Sequence, residues 1–356
     1  MSMTAWQMTA VGQPMRKAEF PIPVPGPGEV LVRVAGCGVC HTDLGFLYDG
    51  VKTKSALPLT LGHEISGTVE AAGDGAGGWL KKAVIIPAVM PCGTCDLCKR
   101  GLGNICRGQK MPGNDIHGGF ASHVVVPAAG LCEVPGASAE GLVGQSGATL
   151  SELSIVADAL TTPFQAIHES GLGPDDTAIF VGVGGVGGFG AQIAKAMGAA
   201  TVAVDVDQAR LDALAPYVDK TLNVKDHPGN ELRKAVGGFA KEKGKRPTEW
   251  KIFETSGTAA GQKTAFGLLT FGASLAVVGF TMDAPELRLS NLMAFHATAR
   301  GNWGCQPSHY PGALKLVTEG KVKIAPFIER FPLDNINEVF TRVHAHELKV
   351  RPVMVP

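Results

Sequence analysis

Apolar positions along the chain fall into two textures. Over the first 150 residues they come in short β-branched runs parted by Gly, Pro and Asn, at residues 29–34, 65–71, 83–87 and 121–126. Runs of that length bounded by turn formers predict strands, so this stretch reads as an all-β, barrel-like region carrying loops. From about Ser151 apolar strands alternate with helical patterns. Residues 177–181 predict a strand, 187–197 a helix of small residues, 201–204 the next strand, and 251–254 and 274–278 two more. Such alternation predicts βαβ units on a parallel sheet. Residues 331–333 and 351–355 predict short strands that return to the first region. The expected organisation is therefore a β-rich domain of residues 1–150 and 305–356, with an α/β domain, residues 151–304, inserted into it.

Length agrees, since 356 residues is two domains' worth. Basic and acidic side chains number 32 each, so composition offers no pull toward nucleic acid or an anionic membrane. The longest apolar stretch, 177–197, is broken by six glycines between Gly182 and Gly190. It falls short of the roughly 18 to 20 uninterrupted residues of a membrane span. The first residues lack a basic segment followed by an apolar run, so no secretory signal is expected and the protein is placed in the cytoplasm. Eight cysteines there point to metal ligands or buried thiols before disulfides. The basic run 241–246 reads as a solvated helix end and loop.

Three motifs carry chemistry. Cys92, Cys95, Cys98 and Cys106 lie within fifteen residues of a Gly-rich segment. Four thiolates so spaced can wrap one cation in the closed tetrahedral geometry of structural zinc, with an iron–sulfur cluster as the competing reading. A second set is dispersed: Cys40 with His41, Thr42 and Asp43, and His63 with Glu64. Thiolate and imidazole from separate loops, plus a third protein donor, would leave zinc one open position. Asp43 or Glu64 could fix the imidazole tautomer. The third motif is the turn Gly182, Val183, Gly184, Gly185, Val186, Gly187, directly after a predicted strand and opening a predicted helix. In that context backbone amides and a helix N-terminus can meet a pyrophosphate. Asp205, at the end of the next strand, can accept from a ribose diol and repel a 2′-phosphate, which favours NAD over NADP. Arg210 tempers that preference, because an arginine there could approach a phosphate.

Taken together, and in this order, these motifs resemble the zinc-dependent medium-chain alcohol dehydrogenase family over essentially the whole chain. Gly62-His63-Glu64-x2-Gly67-x5-Gly73 is similar to that family's zinc signature, and the four-cysteine lobe, 92–106, to its structural zinc site. The resemblance implies a GroES-like β-barrel catalytic domain plus a Rossmann doubly wound parallel sheet. It implies two zinc ions per chain, one catalytic and one structural, with NAD as hydride acceptor. By it Cys40 and His63 are catalytic zinc ligands, Glu64 is a carboxylate able to enter the coordination sphere, and Asp43 supports His63. Thr42 passes on the alcohol proton and His41 extends that path. Thr162 joins the glycine turn, Asp205 and Arg210 among the cofactor contacts, and a homodimer or homotetramer is expected.

Two stretches depart from the family's commonest form. Asp158, in the segment 157–164, takes the place where many members carry a cysteine ligand. Carboxylate is an acceptable and harder zinc donor. Residues 79–84 replace a usual Gly-Asp turn. Segment 157–164 with the N-terminal motifs resembles one branch whose substrate is a secondary allylic alcohol on a ring thioester of coenzyme A. The expected reaction is NAD-dependent oxidation of such a small-molecule substrate to its ketone. The rival readings are conjugate hydride reduction of an enoyl thioester and a zinc-stabilised, NAD-binding protein without turnover.

Overall fold

A computed structural model describes residues 2–138 and 141–356. The chain divides into two units. The first is Met1–Thr161, Gly304–Gly320 and Ile324–Pro356, and the second is Thr162–Trp303 with Lys321–Lys323.

In the first unit the strand Glu29–Gly38 organises the rest. It pairs antiparallel with Glu64–Ala72, His123–Pro127 and Arg351–Val355, and the sheet runs on through Ala83–Ile86 to Cys132–Glu133. Val30, Val32 and Val34 are buried, and so is Leu31 between them. Register shifts at Leu31/Val32 and Val34/Gly36 mark bulges, which let residues on both faces of one strand be covered. A smaller sheet joins Arg16–Pro21, Ser2–Met8 and Leu59–Thr60. The apolar residues enclosed include Ile65, Val69, Phe120 and Phe340. The expected strand at 331–333 is instead Ile328–Pro332, and Leu333 turns into a short 3-10 helix.

The expected boundary at Ser151 also moves. Residues 151–161 belong to the first unit, because the 3-10 stretch Glu152–Ala157 is buried against its strands. Ser66 Oγ donates to the Leu150 carbonyl at 2.6 Å. A side chain at Gly36 would sit 2.4 Å from the Ser151 carbonyl oxygen, so only glycine admits the approach.

The second unit holds a six-stranded sheet, all parallel, in the spatial order Lys220–Asn223, Ala200–Asp205, Thr177–Val181, Lys251–Glu254, Ser274–Val277, Thr298–Gly301. Thr177–Val181 comes first in sequence and is buried throughout, as a strand covered on both faces must be. The chain works outward from it first on one side and then on the other. That puts the topological switch point, where doubly wound sheets bind ligands, beside Val181 and Glu254. Phe180 and Phe253 stack across this central pair with ring centroids 4.6 Å apart. The helix Gly187–Ala196 lies close on the sheet. A Cβ at Gly190 would fall 2.4 Å from the Phe180 ring, which is why small residues fill this helix.

Candidate active site

Cys40 is the N-cap of the helix His41–Leu47, and its backbone N–H donates to Asp43 Oδ2 at 3.0 Å. The other Asp43 oxygen accepts from the Gly62 N–H at 3.1 Å and lies 3.3 Å from His63 Nδ1. One fully buried carboxylate thus ties the helix start to the turn that carries the histidine. His63 is 1% exposed, and its Nε2 has no hydrogen-bond partner. That nitrogen lies 3.6 Å from Asp158 Oδ2, which is itself 3.8 Å from Cys40 Sγ. Donor atoms of Cys40, His63, Glu64 and Asp158 all fall within 4.8 Å of one another. A thiolate, an imidazole and a carboxylate so placed suit zinc, and the orphaned, buried Nε2 is the atom such an ion would satisfy.

Glu64 plays a different part from the other three. Arg351 Nε donates to its Oε2 at 2.9 Å, Arg351 Nη2 donates to Oε1, and the Ala159 N–H donates to Oε1 at 3.2 Å. Burial pushes the Glu64 carboxyl above its usual range, and the guanidinium offsets this only in part. Three of its about four acceptor positions are taken here, so Glu64, expected to be able to enter the coordination sphere, is held by Arg351 and the Ala159 amide. Gly38 is required beside it, because a Cβ there would lie 2.1 Å from Glu64 Oε2. Arg351 was not anticipated from sequence. It lies 287 residues from its partner, and no local pattern marks it.

Thr42 is exposed at the head of the same helix with Oγ1 3.8 Å from Cys40 Sγ, and His41 is exposed next to it. Burial alone would lower the His63 pKa, but the Asp43 charge, with the Asp158 and Cys40 side chains close by, outweighs it. The imidazole stands well above its usual range.

The four-cysteine lobe has sulfur separations of 3.4 Å (Cys92–Cys106), 3.5 Å (Cys95–Cys98), 3.7 Å (Cys95–Cys106) and 4.0 Å (Cys92–Cys98). Tetrahedral zinc with Zn–S of ~2.3 Å sets its sulfurs ~3.8 Å apart, so one ion fits between these four. The Thr94 hydroxyl, donating to Cys92 Sγ at 3.5 Å, helps hold that thiol down to about 6. The lobe is a closed structural zinc site.

In the second unit Gly182 has φ +88°, and a Cβ there would lie 2.4 Å from Ser256 Cα. A Cβ at Gly187 would lie 2.0 Å from the Gly182 carbonyl. These two glycines close the turn, while Gly184, Gly185 and Val186 form its more open crest. The helix that follows has no side-chain N-cap; the Gly188 N–H already donates to the Gly184 carbonyl at 2.9 Å, so an anion there would meet the amides of the crest. Asp205 Oδ2 accepts from the Val183 N–H at 2.8 Å, and Oδ1 accepts from Val206 and Asp207 at 2.7 and 2.9 Å. A carboxylate has about four acceptor positions, so one remains for a ribose hydroxyl. Arg210 lies beside Gly184 and 3.8 Å from Asp207. Thr162 is buried, its carbonyl accepting from Asn302 Nδ2 at 3.3 Å.

A β-rich unit with two zinc donor sets and a doubly wound unit with a glycine turn define a metal-dependent nucleotide-linked oxidoreductase. Residues 26–136 match the family model described as "Alcohol dehydrogenase GroES-like domain", and residues 185–319 match "Zinc-binding dehydrogenase". The chain belongs to the zinc-dependent medium-chain alcohol dehydrogenase family. It is 29% identical over 347 residues to an alcohol dehydrogenase of Geobacillus stearothermophilus, covering 96% of each chain. It is 28% identical over 377 residues to an NAD-dependent alcohol dehydrogenase of Sulfurisphaera tokodaii, covering 99% of this chain and all of that one. Among solved structures, the alcohol dehydrogenase of Aeropyrum pernix superposes with a TM-score of 0.85 at 27% identity, covering 99% of this chain and all of the other. Among the described residues, no helix is long and apolar enough to cross a membrane.

Proposed function

We propose that this alcohol dehydrogenase oxidises a secondary alcohol to a ketone with NAD, using zinc held by Cys40, His63 and Asp158. The observation that carries the reading is the convergence of those three donors around the unpartnered His63 Nε2. When bound, zinc supplies the positive charge that favours alkoxide over alcohol, and NAD supplies the hydride acceptor. The chain's own residues do the rest. Asp43, next to His63 Nδ1, fixes the tautomer that leaves Nε2 as the donor. The Thr42 hydroxyl takes the alcohol proton and His41 carries it outward, both standing exposed at the helix start. With Glu64 held by Arg351, Cys40, His63 and Asp158 would be the residues that hold the ion. In the second unit Asp205 and the Gly182–Gly187 turn bind the dinucleotide, with Arg210 and Thr162 beside them.

The first unit is thus the catalytic domain, with the lobe 92–106 as its structural zinc site, and the second is the cofactor domain. For the substrate we favour a cyclic hydroxyenoyl-CoA thioester, 6-hydroxycyclohex-1-ene-1-carbonyl-CoA, oxidised to its 6-oxo product. The sequence of residues 157–164, with Asp158 in place of cysteine, supports this choice. We place the enzyme in the cytoplasm, in keeping with eight free thiols. We also expect it to be a homo-oligomer, in keeping with exposed Phe280, Met282 and Met293 on the second unit.

The test is reduced-nicotinamide absorbance with a panel of alcohols and hydroxyacyl thioesters, followed by product analysis. The cyclic thioester should give the ketone with its ring double bond intact, whereas saturation of an enoyl substrate would support conjugate reduction. Cys40→Ala and His63→Ala should abolish turnover and lower the metal count from two ions to one. Near-full kcat in either variant without the second ion would sink the zinc mechanism. Inertness toward the whole panel with both ions bound would favour a protein without turnover.

A further inference from the structure

Asp158 is the donor that most needs holding in place. Its side chain is 19% exposed, whereas His63 is 1% and Cys40 8% exposed. It also sits on irregular backbone, φ −140° and ψ −58°, where the 3-10 stretch Glu152–Ala157 ends. The peptide groups on either side of it are fastened by side chains, two of them from distant segments. After it, the Ala159 N–H donates to Glu64. Before it, the Ala157 carbonyl accepts from Thr161 Oγ1 at 3.1 Å and from Tyr310 Oη at 2.5 Å.

Tyr310 is fully buried at the start of the helix Tyr310–Thr318. Its oxygen also accepts from the Ala88 N–H at 3.1 Å, so the phenol bridges two backbone segments. Burying a hydroxyl is costly unless it is bonded, and phenylalanine would fill the same space without that cost. Burial also keeps the phenol well above its usual range, so it remains a neutral donor at working pH. We propose that Tyr310 is a positioning residue for the catalytic metal site, its hydroxyl fixing the Ala157 carbonyl so that the Asp158 carboxylate stays in ligating place. The inference rests on the reading above that Asp158 is a zinc ligand.

The experiment uses the full-length holoenzyme and its Tyr310→Phe variant, with the catalytic ion exchanged for Co(II). Chelator competition reads the affinity of each ion, and visible absorption reads the cobalt environment. Loss of an outer partner of a metal ligand weakens binding about 10- to 100-fold. The variant, acting one peptide group further out, should weaken the catalytic ion by up to that factor and shift its cobalt bands, leaving the four-cysteine ion unchanged as an internal reference. Thr161→Val, which removes the other donor to the same carbonyl, should shift the bands in the same direction and covers the case in which Tyr310→Phe does not fold. Unchanged affinity and spectrum in the variants, or equal weakening of both ions, would overturn the proposal. Asp158→Ala separates the two readings. If it leaves catalytic-ion affinity intact, the ligand assignment is wrong; if it releases the ion while Tyr310→Phe and Thr161→Val do not, only the positioning role is.

Discussion

At the scale of single residues, the site's pH behaviour follows from His63. Its pKa in the metal-free protein is raised, through the Asp43 charge working against burial. The imidazolium is therefore the favoured apo form, and zinc must displace a proton to bind. Apparent zinc affinity at this site should rise as pH rises through that elevated pKa and fall on the acid side. Asp43→Asn should move the rise to lower pH, because the charge that sustains the proton is gone. Zinc competition titrations from acid through neutral to mildly alkaline pH check both, and a pH-independent affinity would contradict the assignment of His63. Of this candidate site, the residues whose donor atoms converge, Cys40, His63, Glu64 and Asp158, could be picked out in the sequence by type and by resemblance to the family. The residues that hold them could not. Arg351 meets Glu64 across 287 residues and Tyr310 meets Ala157 across 153, and neither side chain has a chemistry that announces a metal.

Among the elements, legibility tracked burial. The strand Thr177–Val181 coincides with its expected span because continuous burial requires a continuous apolar run. Thr298–Gly301 is exposed along its whole length and carries no such run, so nothing in its sequence distinguished it from a loop. Lys220–Asn223 was hidden for a similar reason, being polar at three of four positions. It is anchored by the residue before it. Asp219 Oδ2 accepts from the Thr201 N–H and Oγ1, both at 3.0 Å, and Oδ1 pairs with Lys195 at 3.0 Å. Burial would raise this carboxyl, but the Thr201 bonds and Lys195 outweigh it and the pKa is lowered. A depressed carboxylate contributes stability above its unfolded pKa and loses it as pH falls through the folded one. Asp219→Asn should therefore cost about 1–2 kcal/mol at neutral pH. The gap should close once pH drops below the ordinary carboxylate range. Denaturant melts at several pH values test this, and a gap that persists in acid would show that charge is not the cause.

For the whole molecule, the division into two units predicts that cofactor binding and metal retention can be damaged separately. Gly182→Ala places a side chain at φ +88° against Ser256. Strain of ~1–3 kcal/mol, if expressed wholly in the bound state, corresponds to roughly 5- to 150-fold weaker NAD binding. Both zinc ions should remain, since every ligand lies in the other unit. Calorimetric titration with NAD alongside metal analysis reads the two together, and loss of zinc in this variant would refute the separation.

The same topology sets an order of assembly. Every strand of the parallel sheet has been made by Gly301, whereas the clamp on Glu64 waits for Arg351. Because domains fold as units while the chain emerges from its N-terminus, the nucleotide fold can be complete while the metal pocket still lacks its guanidinium. The contacts around the metal pocket are thus completed only by the last strand.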